Sequence, residues 1–222
     1  MKKRNYLILY AAITLLIAFV IWTAFVSVID VQKIGPQESA VGFSALNRYV
    51  HSLTGVNMTL YTVTDWLGLV PIGTALGFAI LGLVQWIKRK SLAKVDKSIM
   101  ILGGFYIAVM AVYLIFEIVT VNYRPILIEG VLETSYPSST TMLAMCVMPS
   151  AALQLKSRIR NRPLKITLIS VIVLFTVFMV IGRLLSGVHW FTDIVGGILI
   201  SVGLVLMYYF FFKLTEGHLD NL

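Results

Sequence analysis

Apolar residues along this chain come in long unbroken runs rather than in the short alternations of a soluble protein. A helix needs about 20 such residues to cross a bilayer core. Six segments meet or approach that length, at approximately 6–29, 60–87, 98–121, 140–155, 166–185 and 190–212. The fourth is short and opens on polar residues. Between the first two, residues 37–53 carry Phe43, Leu46, Tyr49, Val50 and Leu53 at roughly helical spacing among polar neighbours. That pattern predicts a helix lying on the membrane surface, as an amphipathic connector or as a cover over a lipid entrance. No internal repeat or low-complexity segment interrupts the series. The pattern predicts an all-α integral membrane protein, a six-transmembrane-helix bundle in a single domain spanning residues 1–222.

Composition agrees. The 222 residues are 59% hydrophobic and 13% charged, with a mean hydropathy of +0.90, against about 45–50% apolar usage in soluble domains. A lone cysteine, Cys146, excludes an internal disulfide. Lys2, Lys3 and Arg4 resemble the n-region of a signal peptide, but the apolar run behind them is too long and lacks a small-x-small cleavage site. They predict a retained signal anchor.

The net charge of +8 would suit nucleic acid, but its distribution points to a membrane. With a cytoplasmic N-terminus, the inner segments hold Lys2, Lys3, Arg4, Lys88, Arg89, Lys90, Lys94, Lys97, Lys156, Arg158, Arg160, Arg162, Lys165 and Lys213. These are 14 of the 18 Lys and Arg residues; Lys33, Arg48, Arg124 and Arg183 fall outside. The positive-inside rule then predicts a multi-pass cell-membrane protein with both termini cytoplasmic. Its basic loops would face anionic headgroups, and no nucleic-acid partner is needed.

The outer side holds the candidate chemistry. Between the fifth and sixth apolar segments lie Arg183, His189 and Asp193, and ionisable residues at a span's edge are a functional-site hypothesis by default. His189 and Asp193 are four apart, so on a helix they share one face. A carboxylate on one imidazole nitrogen fixes the tautomer and raises the basicity of the other, which makes His189 a candidate nucleophile toward phosphorus. A purely structural His–Asp bond is the competing reading. Arg124, followed by Pro125, ends the third segment on the same side as Arg183. A pair of arginine forks there suits an anion better than it suits two independent snorkelling side chains. In Pro137–Ser138–Ser139–Thr140–Thr141, hydroxyl residues follow a proline and precede an apolar run. They predict a helix N-cap whose amides form an anion site.

Arg124–Pro125, then Pro137–Ser138, then Arg183 with His189 and Asp193, together resemble the three-part signature of the type 2 phosphatidic acid phosphatase superfamily, K-x6-R-P, P-S-G-H and S-R-x5-H-x3-D. The resemblance covers roughly residues 117–193, and the six-span layout extends it to the whole chain. It implies that His189 attacks phosphorus, that Asp193 orients it, and that Arg124, Arg183, Ser138 and Ser139 with nearby amides bind phosphate. No metal or other cofactor is implied.

Three positions depart from the pattern. Glu117 stands where the family has lysine, Thr140 where it has the proton-donating histidine, and Gly182 where it has serine. An alcohol does not titrate near neutral pH, and general acid catalysis contributes about 10²–10⁴-fold in rate. That loss weighs heavily on a monoester, whose leaving group is an alkoxide. It weighs less on a lipid pyrophosphate, whose leaving group is a lipid phosphate. Glu117, two helical turns from Arg124, is a candidate proton carrier or an ion-pair partner of Arg124 or Arg183. Asp65 and Glu133 are further carboxylates within possible reach. The expected function is a lipid phosphatase or pyrophosphatase working through phosphohistidine at the outer face, with the bilayer and a lipid phosphate as partners. The alternative is a relative that binds a phosphorylated lipid without turning it over. A transporter unrelated to phosphate would leave the Arg–His–Asp spacing as coincidence.

Overall fold

The structure, a computed structural model, describes residues 2–219, with side chains from 5 to 215. Long apolar runs become helices because lipid offers the backbone no hydrogen-bond partner. Eight follow in order: α1 (Lys2–Val28), α2 (Ser44–Thr54), α3 (Met58–Leu67), α4 (Leu69–Arg89), α5 (Lys97–Ile118), α6 (Ser139–Arg158), α7 (Arg162–Leu185) and α8 (Phe191–Leu219). Among the described residues, five helices are long and apolar enough to cross a membrane: Asn5–Val28, Met58–Arg89, Lys97–Ile118, Arg162–Leu185 and Phe191–Thr215. The second joins α3 to α4 through Gly68, which keeps right-handed helical angles.

The fourth expected segment is α6, whose 20 residues give a length of roughly 30 Å without matching apolarity. Its position explains why. The helix packs against α4, α5, α7 and α8, and Thr141, Ser150 and Gln154 are buried within the bundle. Facing protein rather than lipid, α6 can carry polar groups that find partners, such as Gln154 donating to the Tyr208 hydroxyl at 2.7 Å. The α1 helix runs along α8 and presents Leu7, Tyr10, Ile17 and Val20 outward, as a lipid-facing helix should.

The surface helix expected over 37–53 is shorter than its periodicity suggested. Residues 32–33 and 40–41 form a small antiparallel ribbon around a 3-10 turn, and Phe43 has a left-handed backbone (φ 48°) that a helix cannot contain. The helix begins at Ser44, where the Asp30 carboxylate accepts the Ala45 N–H at 2.8 Å. That bond heads the causes that lower the Asp30 pKa.

Chain direction gathers the candidate residues. The α5–α6 and α7–α8 connections and α2 meet at one end of the bundle. At the other end Asp96 accepts from Arg89 (2.9 Å) and Gln85 (2.8 Å) and lies 4.0 Å from Arg158. This clasp joins α4, the α4–α5 connection and α6.

Candidate active site

The turn between α7 and α8 sets the position of His189. Gly187 has φ +66°, and a Cβ there would lie 1.8 Å from the Gly55 carbonyl oxygen. The Asn57 N–H donates to the Ser186 carbonyl at 2.9 Å, which ties the turn to the start of α3. Left-handed geometry in a β-carbon-bearing residue costs about 1–3 kcal/mol, before the clash is counted. Gly187→Ala is therefore expected to lower the melting temperature in detergent by about 5 °C or more. Gly73→Ala, with open space around it, should leave it unchanged; equal melting of the two variants would contradict this assignment.

The His189 ring is buried, and its two nitrogens have different neighbours. Nε2 lies 3.0 Å from Arg183 Nη2 and 3.4 Å from Arg124 Nη1. Guanidinium groups only donate, so Nε2 must be the unprotonated nitrogen. Nδ1 then carries the hydrogen and donates it to the Ser135 carbonyl at 3.2 Å. Burial first, then the charges of Arg124 and Arg183, hold the imidazole pKa well below its usual 6.5. The ring is neutral, with its lone pair directed at two cations.

The direct bond from His189 to Asp193 suggested by their spacing is not formed. The carboxylate is 3.9 Å from Nδ1, outside hydrogen-bond range. His189 precedes α8, so the helical-face rule does not apply to it. Asp193 is the third residue of α8 and reaches back to accept the Trp190 N–H at 2.9 Å, as in a capping box. Its other oxygen accepts from Asn122 at 3.1 Å. Asn47 holds the same helix start by donating to Thr192 Oγ1 (3.0 Å) and accepting its N–H (3.2 Å).

Both arginines are buried at their guanidinium ends and only partly satisfied. Arg183 sits under the Tyr61 ring, 5.0 Å from its centroid, and Arg124 lies 5.9 Å from the same ring. Arg183 Nη1 approaches Thr64 Oγ1 (3.5 Å) and Asp65 Oδ1 (3.6 Å). Arg124 Nε lies 2.9 Å from Glu133 Oε2, but the pair is misaligned for a hydrogen bond. Arg183 Nε is also without a hydrogen-bond partner. Ser138 occupies the N-cap position of α6, yet its side chain makes no capping bond, and its buried hydroxyl has no partner. Unmade bonds of this kind are costly, and an anion within reach of these groups would satisfy them.

The remaining sequence candidates lie around this centre. Glu117 does not pair with either arginine among the described residues; Glu133 and Asp65 take those places. Its partner is Tyr113, and with Ser139 and His189 it lines a narrow cleft that has room for about one water molecule. Thr140 turns the other way, its methyl against Gly68. Sequence reasoning missed Tyr61, Asn47, Asn122 and Ser135. Asn122, two residues before Arg124 at the end of an apolar run, was a readable signal. Ser135 acts through its backbone and leaves none.

With this geometry, the chain belongs to the PAP2 superfamily, whose sequence model matches residues 50–216. Among solved structures it resembles the crystal structure of the first transmembrane PAP2 type phosphatidylglycerolphosphate phosphatase from Bacillus subtilis. The TM-score is 0.51 at 22% identity, over 96% of this chain and 98% of that one. At that identity the likeness is one of fold: a multi-pass membrane helical bundle of the PAP2 phosphatase kind. No curated protein matches the chain.

Proposed function

We propose that the protein is a membrane-embedded phosphatase or pyrophosphatase that hydrolyses a lipid phosphate through a phosphohistidine. A prenyl pyrophosphate or a phospholipid phosphate would be its substrate. The observation that carries this reading is His189, a neutral imidazole whose free Nε2 faces two buried guanidinium groups. In this reading Arg124, Arg183, the Ser138 hydroxyl, Ser139 and the first amides of α6 hold the phosphate oxygens, and Nε2 attacks the phosphorus. Fixed donors of this kind stabilise the charge that develops in the transition state. Phosphorylation leaves the ring cationic, and the Asp193 carboxylate, 3.9 Å from Nδ1, stabilises that charge. Asp193 also positions the ring by capping α8. Glu117 lines the water-sized cleft beside the ring. The positive-inside split supports cytoplasmic termini, with the site at the outer face.

The test is phosphate release by purified protein in detergent, with chelator present, from prenyl pyrophosphate, phosphatidate and phosphatidylglycerol phosphate. Turnover of at least one is expected, with an acid-labile, base-stable phosphoryl adduct on His189 after a rapid quench. Turnover without that adduct would overturn the mechanism.

Thr140 and Glu117 favour a second reading, a relative that binds a phosphorylated lipid for transport or regulation. It predicts saturable binding without phosphate release, weakened by Arg124→Ala. Robust hydrolysis by the wild-type protein would exclude it.

A further inference from the structure

Phosphoryl transfer places the attacking and leaving groups in line on opposite faces of phosphorus. With His189 Nε2 on one face, the leaving oxygen departs from the other. The water that later cleaves the P–N bond must arrive along the same line. A residue that activates this water therefore has to stand across the guanidinium groups from the imidazole.

The α3 helix supplies that wall. Arg183 bridges the two sides, with Nη2 toward His189 Nε2 at 3.0 Å and Nη1 toward Asp65 Oδ1 at 3.6 Å. Tyr61, one turn before Asp65, covers both guanidinium groups. Thr140, which stands where the family pattern has its histidine, rests its methyl against Gly68, three residues beyond Asp65. Asp65 thus stands on the helix that the Thr140 side chain meets, and Arg183 joins it to His189. Its side chain is 57% exposed, so it can exchange protons with water. The other carboxylates are placed less well. Glu117 lines the cleft on the Ser135 side of the ring, and Glu133 is held on Arg124 Nε at 2.9 Å.

We propose, resting on the phosphatase reading above, that Asp65 is the general base for hydrolysis of the phosphohistidine. With a lipid pyrophosphate, Nε2 forms a bond to the terminal phosphorus and the P–O bond breaks. The lipid monophosphate leaves with the electron pair and needs no proton. Water then attacks the phosphorus from the vacated side and gives one proton to the Asp65 carboxylate. The P–N bond breaks, its electron pair returns to Nε2, and inorganic phosphate departs. Asp65 passes the proton to solvent.

The experiment compares wild-type protein with Asp65→Asn, using a prenyl pyrophosphate labelled on the terminal phosphate and rapid acid-free quenching. Asp65→Asn is expected to release one equivalent of lipid monophosphate in a burst at the wild-type rate. It should then stall with label on His189, its steady-state kcat reduced by about 10²–10⁴-fold and its KM not raised. Adding Thr140→His to Asp65→Asn should restore turnover by supplying another base at the same place. Wild-type kcat in Asp65→Asn, a burst slowed in step with turnover, or a change in KM alone would assign Asp65 to holding Arg183 and overturn the proposal. Absence of labelled histidine in both the wild-type protein and Asp65→Asn would instead overturn the phosphohistidine reading, and the role of Asp65 with it.

Discussion

His189→Asn is expected to abolish phosphate release, by at least about 10³-fold, while leaving affinity for a lipid phosphate within about threefold. The size of the loss follows from covalent catalysis: without a nucleophile the site retains only the contribution of its anion donors. Asparagine can still donate to the Ser135 carbonyl, as Nδ1 does at 3.2 Å, so the turn before α8 keeps its anchor. It has no basic nitrogen to offer phosphorus. Binding should survive because the wild-type ring is neutral, held so by burial and by the two arginines. Its removal changes no charge in the anion site. The measurements are phosphate release, label transfer to protein, and equilibrium binding of a non-hydrolysed lipid phosphonate. Wild-type turnover in this variant would exclude the phosphohistidine route, and a parallel loss of binding would mean that the substitution had disturbed the arginines.

The distinction between the ring and its supports also marks what the sequence could reveal. Unbroken apolar runs dictate helices in lipid, and alternation of basic and neutral loops separates the two ends. Arg124, Ser138 and Arg183 are therefore assigned to one end by the sequence pattern alone. The hydrogen-bond partner of His189 could not. Spacing of four predicts a shared face only inside a helix, and His189 lies in the turn ahead of α8. Its acceptor is a main-chain carbonyl from a segment 54 positions away, which no side-chain pattern encodes. The role of α3 was hidden for a different reason. Tyr61, Thr64 and Asp65 sit within what reads as the start of one long apolar span, and only the packing of α3 against α7 brings them over Arg183. The limited apolarity of α6 is a direct consequence of its interior position.

Asn47 and Asn122 show how the fold sustains the site. Four polar bonds of 3.0–3.4 Å from α2 and the α5–α6 connection converge on Thr192 and Asp193. They clamp the first turn of α8 from two directions and hold the His189 turn against the end of the bundle. The short helix α2 is thereby a structural support for the site.

Arg183→Gln is expected to reduce kcat/KM by about 10²–10³-fold at pH 8 and by a larger factor at pH 6. The first part follows from lost donors: a fixed donor to a developing oxyanion is worth about 2.7–4 kcal/mol in comparable sites. Glutamine keeps much of the buried bulk, so the bundle should still assemble. Arg183→Lys should recover little, because one ammonium cannot reproduce a fork that reaches both His189 Nε2 and the Thr64–Asp65 side. The pH dependence follows from the charge on Arg183. Burial is the largest cause of the low His189 pKa, and the positive charges of Arg124 and Arg183 come next. Removing one of those charges moves the pKa back up toward 6.5. A larger fraction of His189 is then protonated at pH 6 than in the wild-type protein, and a protonated Nε2 has no lone pair with which to attack. The fall in activity must therefore steepen as pH drops, whereas a binding contribution alone would be independent of pH. Taking the wild-type to variant ratio on one substrate cancels the titration of the substrate's own phosphate. A ratio that is constant from pH 8 to pH 6 would show that Arg183 grips phosphate without tuning the nucleophile.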